Sequence, residues 1–257
     1  MKILVAEDNP VNQEVAVGIL ESLDCDVTIV DNGAEALEFY SAAAPGQFDL
    51  ILMDCQMPVM DGLEATRRIR DWESGKVHIP ILALTANAFD GSRAECLEAG
   101  MDDMLNKPFR RQQLQEQMVR MLERATPVKS ADPEPVRPAV VVNLDPKPLQ
   151  VLRDLDPDGS KKLLERTLTK FADYGDDLLT KIVASAAECD LAEVSRLAHS
   201  LKSSSANMGA VDLSKQCQDI EKSANDGCEQ DDLCNKVDHL AEAYQAAKAE
   251  LLSITGR

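Results

Sequence analysis

Phe48-Asp49-Leu50-Ile51-Leu52-Met53-Asp54, followed at once by Cys55-Gln56-Met57-Pro58-Val59-Met60-Asp61-Gly62, is the stretch whose reading decides the fold of this 257-residue chain. An apolar run bounded by turn residues reads as a fully buried strand of a parallel sheet. Open α/β sheets place their ligands at the carboxyl ends of such strands, which is where Asp54 falls. Taken alone, Asp54 also suits a plain turn-starting residue. Its company decides between the two readings.

Upstream, Lys2-Ile3-Leu4-Val5-Ala6 is a short strand ended by Glu7-Asp8-Asn9, and Asn9-Pro10 opens a helix to about Leu23. Val27-Thr28-Ile29-Val30 is a second strand, and Asn32-Gly33 leads into a helix over about 34–43. Downstream of Asp54, a helix over about 63–73 precedes a fourth strand, Pro80-Ile81-Leu82-Ala83-Leu84, which stops at Thr85-Ala86. A helix over about 91–99, a weak strand Asp103-Met104-Leu105-Asn106, Lys107-Pro108 and a helix over about 110–124 complete the series. Strands alternating with helices in this way predict an α/β doubly wound parallel sheet of five strands. Right-handed crossovers then bring Glu7, Asp8, Asp54, Thr85 and Lys107 to one sheet edge. Each has an ordinary explanation: a capping acid pair, a strand-end Thr, a solvated Lys. Their coincidence at four of five strand ends is poorly explained by chance.

These residue types suit phosphoryl chemistry. Three crowded carboxylates need a cation to stay ionised together, and Mg²⁺ with its oxygen ligands is the expected guest. Such an ion bridges a phosphoryl donor to the Asp54 oxygen and offsets the charge developing in transfer. Asp54 is the nucleophile that forms an acyl phosphate, Thr85 donates a hydrogen bond to a phosphoryl oxygen, and Lys107 pairs with that oxygen as a point charge.

On these residues, 1–125 resemble a response-regulator receiver domain. Glu7 and Asp8 fall on the family's acidic pair, Asp54 on its phosphoacceptor, Thr85-Ala86 on its switch hydroxyl and small neighbour, and Lys107-Pro108 on its Lys-Pro. The resemblance implies a flavodoxin-like sheet of order 2-1-3-4-5, with the backbone carbonyl of Gln56 as a further metal ligand. Glu7-Asp8-Asn9-Pro10-Val11-Asn12 is similar to receivers of hybrid sensor kinases. Met104 stands where the family often carries an aromatic switch residue.

From residue 126 to 143 the pattern breaks, with four prolines in the thirteen residues 126–138. That composition makes a semi-extended tether. Its 18 residues reach about 56 Å if fully polyproline-like and average about 23 Å as a flexible coil. Beyond it, over 144–257, apolar residues recur at helical spacing in about 160–173, 176–188, 191–207, 212–224 and 231–252. Breakers such as Tyr174-Gly175, Gly209 and Asp226-Gly227 separate the runs, so an all-α antiparallel helix bundle is expected.

One of these helices carries His199 off the apolar stripe of Val194, Leu197, Ala198, Leu201 and Met208. The imidazole is therefore expected to face solvent among Ser195, Lys202, Ser203 and Ala206, small enough neighbours for another active site to approach. An incidental surface His fits the same placement. His199-Ser200-Leu201-Lys202-Ser203-Ser204 through Gly209-Ala210 resembles the His-x-Leu-Lys-Gly-Ser…Gly-Ala signature of histidine phosphotransfer domains. The resemblance makes His199 the phosphorylated residue and Lys202 its charge-compensating partner, with Ser203 in place of the usual Gly.

Composition narrows the partners. The net charge of −18 divides as −11 over 1–125 (11 basic, 22 acidic) and −7 over 144–257 (14 basic, 21 acidic). Neither part offers the Lys and Arg that direct nucleic-acid binding rests on. Seven scattered cysteines without a Cys-x-x-Cys fit free thiols in a reducing cytoplasm. No apolar run reaches the roughly 20 residues of a membrane span. The expectation is a cytoplasmic two-component phosphorelay intermediate, with a sensor histidine kinase upstream and a receiver downstream. Each site transfers a group and needs the other to be regenerated, so the chain is expected to be a relay and not an independently turning-over enzyme; no Walker A loop or ATP-binding kinase domain is found. The competing reading is a phosphorylation-independent adaptor that only docks a partner, which a degraded acid pair or a missing Lys would favour. An aspartyl-phosphate phosphatase of the haloacid-dehalogenase type would need an Asp where Gln56 stands.

Overall fold

The computed structural model describes residues 1–75, 77–85, 90–123, 144–160 and 162–254. Ala86, read as the small neighbour of Thr85, and the Pro-rich stretch 126–143 lie outside them. The chain forms two compact units.

Residues 2–123 form β1 (Lys2–Ala6), α1 (Pro10–Glu21), β2 (Asp26–Val30), α2 (Gly33–Ala42), β3 (Leu50–Asp54), α3 (Gly62–Glu73), β4 (Ile81–Thr85), α4 (Asp90–Ala99), β5 (Asp103–Asn106) and α5 (Arg111–Glu123). The strands form one parallel sheet in the order β2-β1-β3-β4-β5, as expected. Every residue of β3 and β4 is buried, because helices cover both faces of a doubly wound sheet. Alternation then sorts the side chains. Leu4, Ile51, Met53, Ile81 and Ala83 join Tyr40, Ala65, Ile69 and Cys96 in one core cluster. Ile3, Val5, Leu50, Leu52, Leu82 and Leu84 are buried at the intervening positions. The helices start where capping side chains allow: Asn32 Oδ1 accepts from Glu35 N, and Asp61 Oδ1 from Glu64 N.

The second unit contains α6 (Pro146–Leu155), α7 (Leu163–Ala187), α8 (Leu191–Asn207), α9 (Val211–Asp226) and α10 (Gln230–Ser253). Packing of α7 on α8, α8 on α9, α9 on α10 and α10 back on α7 closes a bundle, with α6 against α7. The connections 188–190, 208–210 and 227–229 are so short that successive helices run antiparallel. Two expectations are corrected here. Residues 146–155 are helical, begun by Asp145 Oδ1 accepting from Lys147 N and by a proline in the first turn. The runs 160–173 and 176–188 form a single helix of 25 residues, which passes through Tyr174-Gly175 without a break.

The reason lies in packing. A Cβ at Gly175 would come within 2.5 Å of the Tyr244 ring and hydroxyl. That ring is fully buried beside Phe171 (ring centroids 5.9 Å apart), and its hydroxyl donates to Ala172 O at 2.8 Å. Gly175 is thus a seat for Tyr244, not a helix end. Ala normally stabilises a helix interior by about 1 kcal/mol over Gly. Here the overlap reverses the sign. Gly175→Ala is expected to lose about 2 kcal/mol, within the range for overpacked cores. The urea unfolding midpoint checks this, and a rise would contradict the packing argument.

Candidate functional site

The residues singled out at the strand ends do meet. Glu7 N donates to Val30 O at 3.1 Å, which holds the chain just past β1 against the end of β2. Asp54 ends β3 in register with Leu84, and Thr85 ends β4 opposite Asn106. Lys107 follows β5, and its N donates to Thr85 O at 2.7 Å. The backbone ladder therefore aims acids and ammonium at one point. Lys107 Nζ pairs with Glu7 and lies 2.6 Å from Asp54 Oδ2. Asp54 Oδ1 accepts a longer bond, 3.3 Å, from Gln56 N.

Electrostatics follow from burial. The side chains of Lys107, Asp54 and Glu7 are only 6%, 8% and 1% exposed. Burial disfavours the charged Lys107, but Asp54 and then Glu7 outweigh it and hold its pKa above the ordinary 10.5. Lys107 thus stays an ammonium throughout the physiological range. Glu7, Asp8 and Asp54 also bring carboxylate oxygens within 4.8 Å of one another. Three carboxylates and one ammonium leave a formal −2. Hard oxygen donors with that residual charge suit a divalent cation such as Mg²⁺.

The turn after Asp54 depends on Gly62. A Cβ there would fall 2.0 Å from Asp54 O, so any side chain would push the loop off the strand end. Gly62 N instead donates to Cys55 O at 3.2 Å. Thr85 is 5% exposed. Met104 is half-buried in β5, and its carbonyl accepts from Gln117 Nε2 at 3.1 Å.

In the helical unit, α8 starts with Asp190 Oδ1 accepting from Glu193 N, which fixes the helix that carries His199. The expectation that its imidazole stands open to solvent is corrected. Its side chain is 18% exposed, because α9 supplies Glu221, whose Oε1 lies 2.7 Å from His199 Nδ1. Since an ionised carboxylate only accepts, Nδ1 donates. Lys202 Nζ lies 3.3 Å from the same nitrogen and 2.5 Å from Glu221 Oε2. Two donors cannot bond each other, so Lys202 acts through its ion pair with Glu221. Nε2 has no hydrogen-bond partner among the described residues. Ser203, an expected neighbour of the imidazole, is buried at 8% exposed.

Glu221 is the residue that sequence reasoning missed. Burial raises its pKa, but hydrogen bonds from His199 and Lys202 more than offset this and leave it below the ordinary 4.5. A carboxyl depressed in the folded state stabilises above its unfolded pKa and loses that contribution as pH falls through the folded value. The unfolded chain binds the proton first, so the loss occurs below about pH 4.5. Glu221→Gln is expected to flatten this part of the stability–pH curve, measured by urea unfolding between pH 3 and 6. Parallel curves for the two proteins would show that the depressed carboxyl is not Glu221.

Comparison with known proteins agrees in both halves. Residues 3–119 match the response regulator receiver domain family, and residues 166–250 match the Hpt domain family. Histidine kinase 3 of Arabidopsis thaliana is 37% identical over 148 residues, spanning 50% of this chain and 14% of its own length. Hybrid signal transduction histidine kinase I of Dictyostelium discoideum is 45% identical over 111 residues, 42% of this chain and 6% of its own. The receiver domain of sensor histidine kinase PA1611 from Pseudomonas aeruginosa PAO1, solved with magnesium in its active site cleft, is 49% identical with a TM-score of 0.43; the match covers 47% of this chain and 96% of that one. The chain thus spans only a small part of these curated relatives. Among the described residues no helix is long and apolar enough to cross a membrane.

Proposed function

Because residues 3–119 belong to the response regulator receiver family and residues 166–250 to the Hpt family, we propose that Asp54 and His199 are successive phosphoryl carriers of a two-component phosphorelay. The observation that carries the reading is the pairing of buried Asp54 with Lys107 beside Glu7 and Asp8. The reading divides the chain at 1–125 and 144–257, with 126–143 as the tether.

Asp54 Oδ2 is engaged by Lys107, so Oδ1 is the oxygen available to attack phosphorus. An Oδ1–P bond forms while the P–N bond to an upstream kinase's phosphohistidine breaks, and the departing nitrogen keeps that bond's electron pair, leaving a neutral imidazole whose other ring nitrogen carries the proton. Thr85 donates to a phosphoryl oxygen and Lys107 pairs with the developing charge. Glu7, Asp8, Asp54 and the backbone carbonyl of Gln56 would hold Mg²⁺. The ion would supply positive charge that offsets the negative charge developing in transfer. In the helical unit, Glu221 keeps the proton on Nδ1, so Nε2 presents its lone pair to the phosphorus on Asp54. Lys202, held on the Nδ1 side by its ion pair with Glu221, supplies positive charge near the ring that takes up the phosphoryl group. His199 then passes the group to a receiver on a downstream protein. All seven cysteines are free thiols, which fits a cytoplasmic setting.

Labelling by acetyl phosphate tests the first carrier. The chain is expected to take up one base-labile, hydroxylamine-sensitive phosphoryl group at Asp54. Chelation of divalent ions is expected to abolish this and added Mg²⁺ to restore it, because the −2 of the site repels an anionic donor. Undiminished labelling in excess chelator would remove the metal from the reading.

A further inference from the structure

Cys55 is the first residue after β3, next to Asp54, and Cys96 lies in α4, 41 positions later. Their sulfurs stand 3.6 Å apart. Cys55 is half-buried and Cys96 is buried, so a small oxidant reaches the pair from the Cys55 side. Neither thiol has a part in phosphoryl transfer as described above. We propose that this pair is an oxidative modification site, at which a peroxide converts Cys55 and Cys96 to a disulfide that restrains the Asp54 end of β3.

The chemistry balances with the peroxide as oxidant. One sulfur of the pair attacks one peroxide oxygen, the O–O bond breaks, water leaves, and that cysteine becomes a sulfenic acid. The other sulfur attacks it, the S–O bond breaks as the S–S bond forms, and a second water leaves. Two thiols are oxidised, one peroxide is reduced, and both thiol protons end in water. Closing from contact distance to a bond of about 2.05 Å moves the sulfurs by roughly 1.5 Å. That movement pulls on a fixed backbone. Cys55 N donates to Leu84 O at 3.1 Å, Cys55 O accepts from Gly62 N at 3.2 Å, and Cys96 O accepts from Met101 N at 3.0 Å. The adjacent Asp54 peptide shares the displacement, and transfer is sensitive to misplacement on the ångström scale. This consequence rests on Asp54 being the acceptor; the disulfide itself does not.

The test uses the full chain treated with hydrogen peroxide, alkylated, digested without reduction and examined by mass spectrometry. A cross-linked peptide joining Cys55 to Cys96 is expected, lost after dithiothreitol and absent from Cys96→Ala. Acetyl phosphate labelling of the cross-linked protein is expected to slow by about tenfold, to recover with dithiothreitol, and to be insensitive to peroxide in Cys55→Ala. Oxidation of the two residues without a cross-linked peptide overturns the proposal, as does full-rate labelling of the cross-linked protein. A cross-linked peptide in protein that fails to label even when reduced supports the disulfide site and sinks the Asp54 assignment instead.

Discussion

Asp54→Ala is expected to abolish labelling of the chain by acetyl phosphate or by a phosphorylated kinase, while leaving a folded protein. The chemical loss is complete because no other described carboxylate combines the strand-end position with contact to Lys107 and an oxygen held only by Gln56 N. Glu7 is buried behind the same ammonium. Stability is a separate matter. Removing one partner of a buried ion pair costs roughly 3–5 kcal/mol when it strands the other charge. Lys107 is not stranded, because Glu7 still pairs with it, and the crowding of three carboxylates is relieved. The net change is therefore expected to stay within about 1 kcal/mol. Circular dichroism and urea unfolding check the fold, and labelled protein resolved by electrophoresis checks the chemistry. Wild-type labelling of the Ala variant would remove Asp54 from the relay.

His199→Gln is expected to leave Asp54 labelling intact and to eliminate onward transfer to a separate receiver, a loss as complete as the first. Gln has an amide N–H that can still donate to Glu221, so the α8–α9 contact survives and the melting temperature should change little. A large fall in melting temperature would mark His199 as a structural residue. The same variant decides whether the two carriers exchange within one molecule. Short tethers give effective concentrations on the order of millimolar. Asp54→Ala mixed with His199→Gln at micromolar concentration is therefore expected to transfer about 100-fold or more slowly than wild type. Equal rates would assign His199 to receivers on other chains.

The strands and the meeting of acids and lysine at one sheet edge were legible because each strand end depends on local information. An apolar run such as Leu50–Asp54 has no alternative to a doubly covered strand, and turn residues at Cys55–Gly62 stop it. The handedness of the crossovers then makes a sheet edge out of separate strand ends, so Glu7, Asp54 and Lys107 could be placed together without knowing a single distance. Helix packing carries no such rule. The rotation of α9 against α8, which brings Glu221 to His199 across 22 positions, is settled by how buried side chains interlock. The same holds for Gly175, whose missing side chain reads as a helix break until Tyr244 is seen to occupy the space. Sequence alone singled out the candidate residues at the sheet edge and on α8. Tertiary structure alone decided which nitrogen of His199 faces Glu221, how Lys107 divides between Glu7 and Asp54, and that two thiols touch beside Asp54. Each of these turns on distances below 4 Å between chain segments far apart in sequence, and periodicity has no access to them.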